Sequence, residues 1–221
     1  MAATGVNRLA LFDCDGTLVD SQHNICLCMD DAFARAGLVA PTRNETRRIV
    51  GLSLLPAVQR LLPDAAHALQ VQVAEDYKSA FQRLRGQGLV EEPLFEGIIE
   101  ALDSLDADGW MLGVATGKSD RGLVQCLLSH GLKGRFVTLQ TADRHPSKPH
   151  PSMIHEAMAE AGSAPDTTVM IGDTSFDILM GVAAGTRALG VEWGYHPAEE
   201  LRAAGAYHVA GHPRELLEAM Q

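Results

Sequence analysis

The sequence predicts an α/β protein: a doubly wound parallel sheet interrupted by an inserted all-helical segment. Three observations carry this. Short apolar runs, each ending in a polar loop, recur at residues 9–12, 111–115 and 168–171. From about residue 94 onward such runs alternate with stretches of helical periodicity, the pattern of βαβ units. Between residues 22 and 85 the alternation stops, and helix follows helix without a convincing strand.

Leu9-Ala10-Leu11-Phe12 reads as a short buried strand that Gly16 ends, so Asp13 and Asp15 stand at its carboxyl end. In an open parallel sheet that end is where ligands bind. Period-two alternation puts Asp13 and Asp15 on one face and turns Cys14 away. Two like charges so close call for a cation, a phosphoryl group or a proton between them. The first helix, from His23 to Ala36, gathers Ile25, Cys28, Met29, Ala32, Phe33 and Ala36 on roughly one face. A second helix spans residues 42–50 and stops at Gly51; Ser53 caps a third that ends at Leu62-Pro63. Asp64 caps a fourth, to about Arg85, and Gly86 and Gly88 then loosen the chain.

A helix at 98–105 leads to the strand at 111–115, which runs into Thr116-Gly117-Lys118-Ser119. A helix at 119–130 and a strand at 136–139 follow. Ser147-Lys148-Pro149 precedes a helix at 151–161, and the strand at 168–171 runs into Gly172-Asp173-Thr174-Ser175-Phe176-Asp177. A helix at 175–184 ends at Gly185; a strand at 187–191, another at 207–209 and a helix at 213–220 complete the chain. The simplest architecture is a core of residues 1–19 and 91–221 with a helical insert at 20–90. An insert rooted there hangs over the ligand-binding edge, where a lid belongs.

At 221 residues the chain is long enough for one domain plus a small insert, and 46% hydrophobic with 21% charged residues is ordinary for a globular protein. The net charge of −10 argues against nucleic acid or an anionic membrane as partner. It leaves an anionic substrate open, because a site-bound cation reverses the local field. No run reaches the length of a membrane span, and residues 1–8 lack the basic and apolar regions of a signal peptide, so a cytoplasmic protein is expected. Cys14, Cys26, Cys28 and Cys126 show no paired framework and read as free thiols.

In chain order the strand ends deliver an acid pair (Asp13, Asp15), a hydroxyl (Thr116), a lysine (Lys148) and a second acid pair (Asp173, Asp177). That series resembles the haloacid dehalogenase superfamily of phosphotransferases, and within it the phosphoglycolate phosphatase-like hydrolases. The likeness spans residues 9–177 and is specific for superfamily, not for substrate. It implies a Rossmann-like core under a helical cap. It makes Asp13 the nucleophile that forms an aspartyl-phosphate and Asp15 the general acid and base. Thr116 and Gly117 would hold phosphoryl oxygens through hydroxyl and backbone N–H, at a helix start that favours anions. Lys148 would supply a point positive charge. Four carboxylates facing a phosphate dianion require a cation, and magnesium (Mg2+) suits the set. Its ligands would come from Asp13, Asp15, Asp173 and Asp177, Asp15 through its backbone carbonyl and Asp177 through water or by orienting Lys148.

Arg47 and Arg48, just before Gly51, resemble the substrate-specificity region of related phosphatases, and an arginine there could read a carboxylate. A solvated helix face is the plainer reading. The expected activity is magnesium-dependent hydrolysis of a small phosphorylated metabolite, phosphoglycolate-like first, with little room for the leaving group under a closed cap. A phosphosugar mutase would keep every core residue. A regulatory phospho-acceptor domain would lack both the N-terminal D-x-D-G-T and an insert of this size.

Overall fold

A computed structural model describes residues 6–221. Residues 1–5, which open both the stretch read for a signal peptide and the first core segment, lie outside the described residues. The apolar runs become six strands: β1 (Asn7–Phe12), β2 (Trp110–Thr116), β3 (Thr138–Thr141), β4 (Ser163–Gly172), β5 (Arg187–Val191) and β6 (His208–Ala210). They form one sheet in the order β3-β2-β1-β4-β5-β6, and every paired neighbour runs parallel. The chain therefore winds outward from β1 on one side and from β4 on the other, which makes the β1/β4 seam the topological switch point. Phe12 is level with Val114 of β2 and with Ile171 of β4, so three carboxyl ends finish at nearly the same height.

Both sheet faces are covered, as a parallel sheet requires. Ala10 and Phe12 pack with α5 (Ile98–Ala107), α6 (Asp120–Ser129) and α10 (Leu216–Met220). Leu9 and Leu11, one pleat away, pack with α7 (Ser152–Ala161) and α8 (Ser175–Ala183). α9 (Ala198–Ala204) lies between β5 and β6 in the chain, and its Leu201 packs on Ile178 of α8.

The block without strands forms α1 (Gln22–Arg35), α2 (Arg43–Arg47), α3 (Leu54–Leu61) and α4 (His67–Gly86). It closes around its own apolar cluster, with Met29, Phe33, Ile49, Val58 and Val73 buried. The two chain crossings into the block run side by side. Asp20 N donates to Pro93 O (2.8 Å), Phe95 N donates to Leu18 O (3.1 Å), and Val19 bridges Leu94 in antiparallel sense.

Several element ends differ from the sequence reading. α2 is one short turn set by a Thr42/Glu45 capping box, not a helix over 42–50; Ile49 and Val50 turn inward to apolar clusters instead. Arg48, not Gly51, is the C-cap of α2, and Gly51 follows at φ +95°. Ser53 sits at the N-cap of α3 without making a side-chain cap bond. α4 begins at His67, and Ala66, not Asp64, occupies its N-cap. β3 starts two residues late because Phe136 is drawn into the core. The strand read at 207–209 is shifted to His208–Ala210, and a 3₁₀ turn at Pro213–Glu215 opens the terminal helix.

Candidate active site

Asp13 leaves the end of β1 with its N–H donating to Ile171 O of β4 (2.9 Å), so the switch-point seam fixes its backbone. Three residues on, Gly16 turns the chain at φ +89°, directly against Asp173. A Cβ there would stand 2.2 Å from Asp173 Oδ2, so only glycine fits. Asp173 follows β4. Asp177 lies in the first turn of α8, where a capping box holds it: Thr174 N (3.1 Å) and Thr174 Oγ1 (2.6 Å) both donate to Asp177 Oδ2. Lys148 comes from the loop between β3 and α7. Its Nζ lies 2.8 Å from Asp13 Oδ1 and donates to Asp177 Oδ1 at 2.6 Å. Asp13, Asp173 and Asp177 thus bring carboxylate oxygens within 4.8 Å of one another, all buried.

This cluster is short of positive charge. Burial pushes the Asp13 carboxyl up to about 7; Lys148 opposes the shift, and Asp177 and Asp15 add to it. Burial likewise holds Asp173 well above the usual carboxylate range, with Asp177 and Asp13 adding to it. Burial works against the Lys148 charge, but Asp13 and Asp177 outweigh it and keep the ammonium protonated. Asp173 has two donors, Thr17 Oγ1 (2.8 Å) and Tyr195 N (2.9 Å). Among the described residues Asp13 has only the Lys148 ammonium, 2.8 Å from its Oδ1, and its buried Oδ2 has no donor. Hard oxygen ligands, with Asp13 Oδ2 lacking a donor among the described residues, fit a hard divalent cation such as magnesium.

The structure departs from the sequence reading at three places. Asp15 does not share the cluster: Ser21 Oγ donates to its Oδ1, and Lys118 Nζ lies 2.8 Å from the same oxygen. Lys118 also pairs with Glu92 Oε1 at 2.6 Å. Three carboxylates converge, not four, because the backbone leaves the pleat after Phe12 and period-two alternation no longer applies. Arg48 is taken, since both its terminal nitrogens donate to Glu200 on α9 (2.9 and 2.7 Å), bracing the helical block against the core. Half-buried Arg47 lies over the Tyr195 ring and reaches Gly194 O at 3.4 Å.

Thr116 and Gly117 hold the expected place at the end of β2, where Thr116 is buried and its Oγ1 accepts from Lys118 N (3.2 Å). Gly117 faces the helical block; a Cβ there would meet Leu52 O at 2.6 Å. The sequence reading missed Thr17, Ser21, Lys118, Glu92, Gly194 and Tyr195. Two signals were available. Lys118 follows Thr116-Gly117 directly, and Trp193-Gly194-Tyr195 closely follows the strand at 187–191, at the same sheet edge. A cavity of about 600 Å³ lies between this edge and the helical block, opening on Asp15, Gly117 and Lys118.

Strand order, a buried acidic cluster at the switch point and a helical block above it define a Rossmann-like α/β protein with a site at its sheet edge. The model of the haloacid dehalogenase-like hydrolase family matches residues 10–191. A Dickeya dadantii protein named "Probable phosphatase IndB" is 36% identical over 89% of this chain and 86% of its own length. A phosphoglycolate phosphatase from Vibrio vulnificus is 28% identical over 96% of both chains. A solved haloacid dehalogenase-like family hydrolase from Streptococcus pneumoniae superposes with a TM-score of 0.84 at 25% identity, covering 97% of this chain and 99% of that one. The chain belongs to the haloacid dehalogenase-like hydrolase family.

Proposed function

We propose that this chain is a magnesium-dependent phosphatase that hydrolyses a small phosphomonoester through an aspartyl-phosphate on Asp13. One observation carries the reading: Asp13 stands buried in a three-carboxylate cluster against Lys148, with no hydrogen-bond donor on its Oδ2 among the described residues. Magnesium would be held by the Asp13 and Asp173 carboxylates and the Asp15 backbone carbonyl, and would neutralise phosphoryl charge. Asp177, with one oxygen taken by Lys148 and the other by Thr174, serves to aim Lys148.

Asp13 attacks phosphorus in line, the bond to the leaving oxygen breaks, and that oxygen takes a proton from Asp15. Asp15 then accepts a proton from water. The resulting hydroxide attacks phosphorus, the Asp13–phosphorus link breaks, and phosphate and the free carboxylate are restored. Ser21 and Lys118 both engage Asp15 Oδ1, which leaves Oδ2 as the proton carrier. Thr116 and Gly117 hold the phosphoryl oxygens, and Lys148 offsets charge on Asp13 in both steps. Residues 20–90 act as the cap, hinged where Asp20 meets Pro93. The names of relatives support a phosphoglycolate-like substrate; the pairing of Arg48 with Glu200 gives that choice no help.

Purified protein should release phosphate from an aryl phosphate with magnesium and lose this activity on chelation. Asp13→Asn should abolish turnover and any phospho-aspartate seen by mass spectrometry. Full activity in chelator removes the metal assignment, and activity retained in Asp13→Asn removes the nucleophile.

A further inference from the structure

We propose that the substrate's alcohol portion is a flat apolar body of aromatic size, seated in the cavity between the helical block and the sheet edge. The inference rests on the phosphatase reading above and names the substrate class for that same site. The cavity begins at Asp15, Gly117 and Lys118, so an ester oxygen protonated by Asp15 directs its carbon side into it. Its volume, about 600 Å³, lies within the range of clefts that enclose a whole drug-sized ligand. A two-carbon acid would leave most of that space as water against apolar walls, which is unfavourable.

Those walls are Ile25, Met29, Val50, Leu54, Tyr77 and Phe81. Tyr77 and Phe81 stand on one face of α4 with ring centroids 6.1 Å apart and planes tilted by 39°, and they offer aromatic surface to a third ring. The Arg85 guanidinium lies over the Phe81 ring at 5.1 Å and Lys118 Nζ over the same ring at 5.9 Å. Met29 adds a pliable, polarisable contact. Charged side chains also line the cavity, Glu75, Lys78, Arg85, Arg121 and Asp143 among them. Ser53 Oγ is buried without a hydrogen-bond partner, and Lys118 is already bound to Asp15 and Glu92. Arg47 and Arg48, the candidate readers of a substrate carboxylate, are not among the walls. The aromatic and aliphatic walls bury carbon, and the Ser53 hydroxyl and the charged groups of the lining orient it.

The experiment compares ethyl phosphate, phosphoglycolate and 2-phenylethyl phosphate on the wild-type protein with magnesium. All three release a primary alkoxide, so leaving-group chemistry is held nearly constant. Burial of the phenyl group should raise kcat/KM for 2-phenylethyl phosphate by about tenfold to a hundredfold over ethyl phosphate, and above phosphoglycolate. In Phe81→Ala the phenylethyl-to-ethyl ratio should fall at least about threefold, read on protein whose melting transition lies above the assay temperature. Phe81→Leu, which keeps the bulk and removes the ring, serves if the alanine variant melts too low. Phosphoglycolate equal to or better than 2-phenylethyl phosphate overturns the inference and leaves the phosphatase reading standing. A ratio unmoved by either Phe81 variant overturns the pocket assignment. No turnover of any of the three overturns the phosphatase reading itself.

Discussion

Replacing Asp13 by Asn exchanges a buried carboxyl for a neutral amide of the same shape, and this should remove part of a pH effect on stability. In chelated wild-type protein, burial holds the Asp13 carboxyl up to about 7, against an ordinary 3.8. Between those values the folded protein binds a proton that the unfolded chain has released. Stability contributed by this group is therefore present at low pH and lost as pH rises through the window. One proton corresponds to about 1.36 kcal/mol per pH unit. Asp173, also held high by burial, shares the titration. From about pH 5 to about pH 7 the wild type should thus lose roughly 1 to 3 kcal/mol relative to Asp13→Asn. Lys148 stays charged throughout and does not add to the slope. Urea unfolding of both proteins in chelator at three pH values measures the difference. Magnesium should restore wild-type stability most at the upper end, where the carboxylate is free to bind it. A constant gap between the two proteins, or a wild type that gains on the variant as pH rises, would refute the account of the cluster.

Two other substitutions test the surroundings. Asp15→Asn should slow single-turnover phosphorylation from an alkyl phosphate by about 10²–10⁴, and by much less from an aryl phosphate, whose leaving group hardly needs a proton; equal losses would remove the acid role. Gly117→Ala places a methyl 2.6 Å from Leu52 O and should lift the helical block from the β2 loop. A displacement of about 1 Å is enough to cost on the order of a hundredfold in kcat/KM, with the melting transition little changed, and unchanged turnover would show that the block does not need this contact to close.

The chain order of chemistry was legible in the sequence because a buried strand must end where polar residues begin. Asp13, Thr116 and Asp173 could be placed at strand ends from Leu9-Ala10-Leu11-Phe12 and the runs at 111–115 and 168–171 alone. The helical insert was legible for a similar reason: from Gln22 to Gly86 no apolar run has the length and flanks of a strand. Helix ends were less so, since α2 stops where Ile49 and Val50 turn inward to packing partners that local periodicity does not name.

Tertiary structure decided what stands beside what. That β1 pairs with β4, across more than a hundred residues of chain, is what puts Asp13 beside Asp173 and Asp177; strand order follows from packing both sheet faces, not from spacing along the sequence. The direction of Asp15 also depended on it. The chain leaves the pleat after Phe12, and Ser21 and Lys118, brought from two other segments, claim the carboxylate. Arg48 was a plausible reader of substrate until α9 placed Glu200 against it. Local sequence sets which groups reach the sheet edge. Only the long-range packing of separate elements sets which of them face one another, and so which charges are paired and which remain free for a ligand.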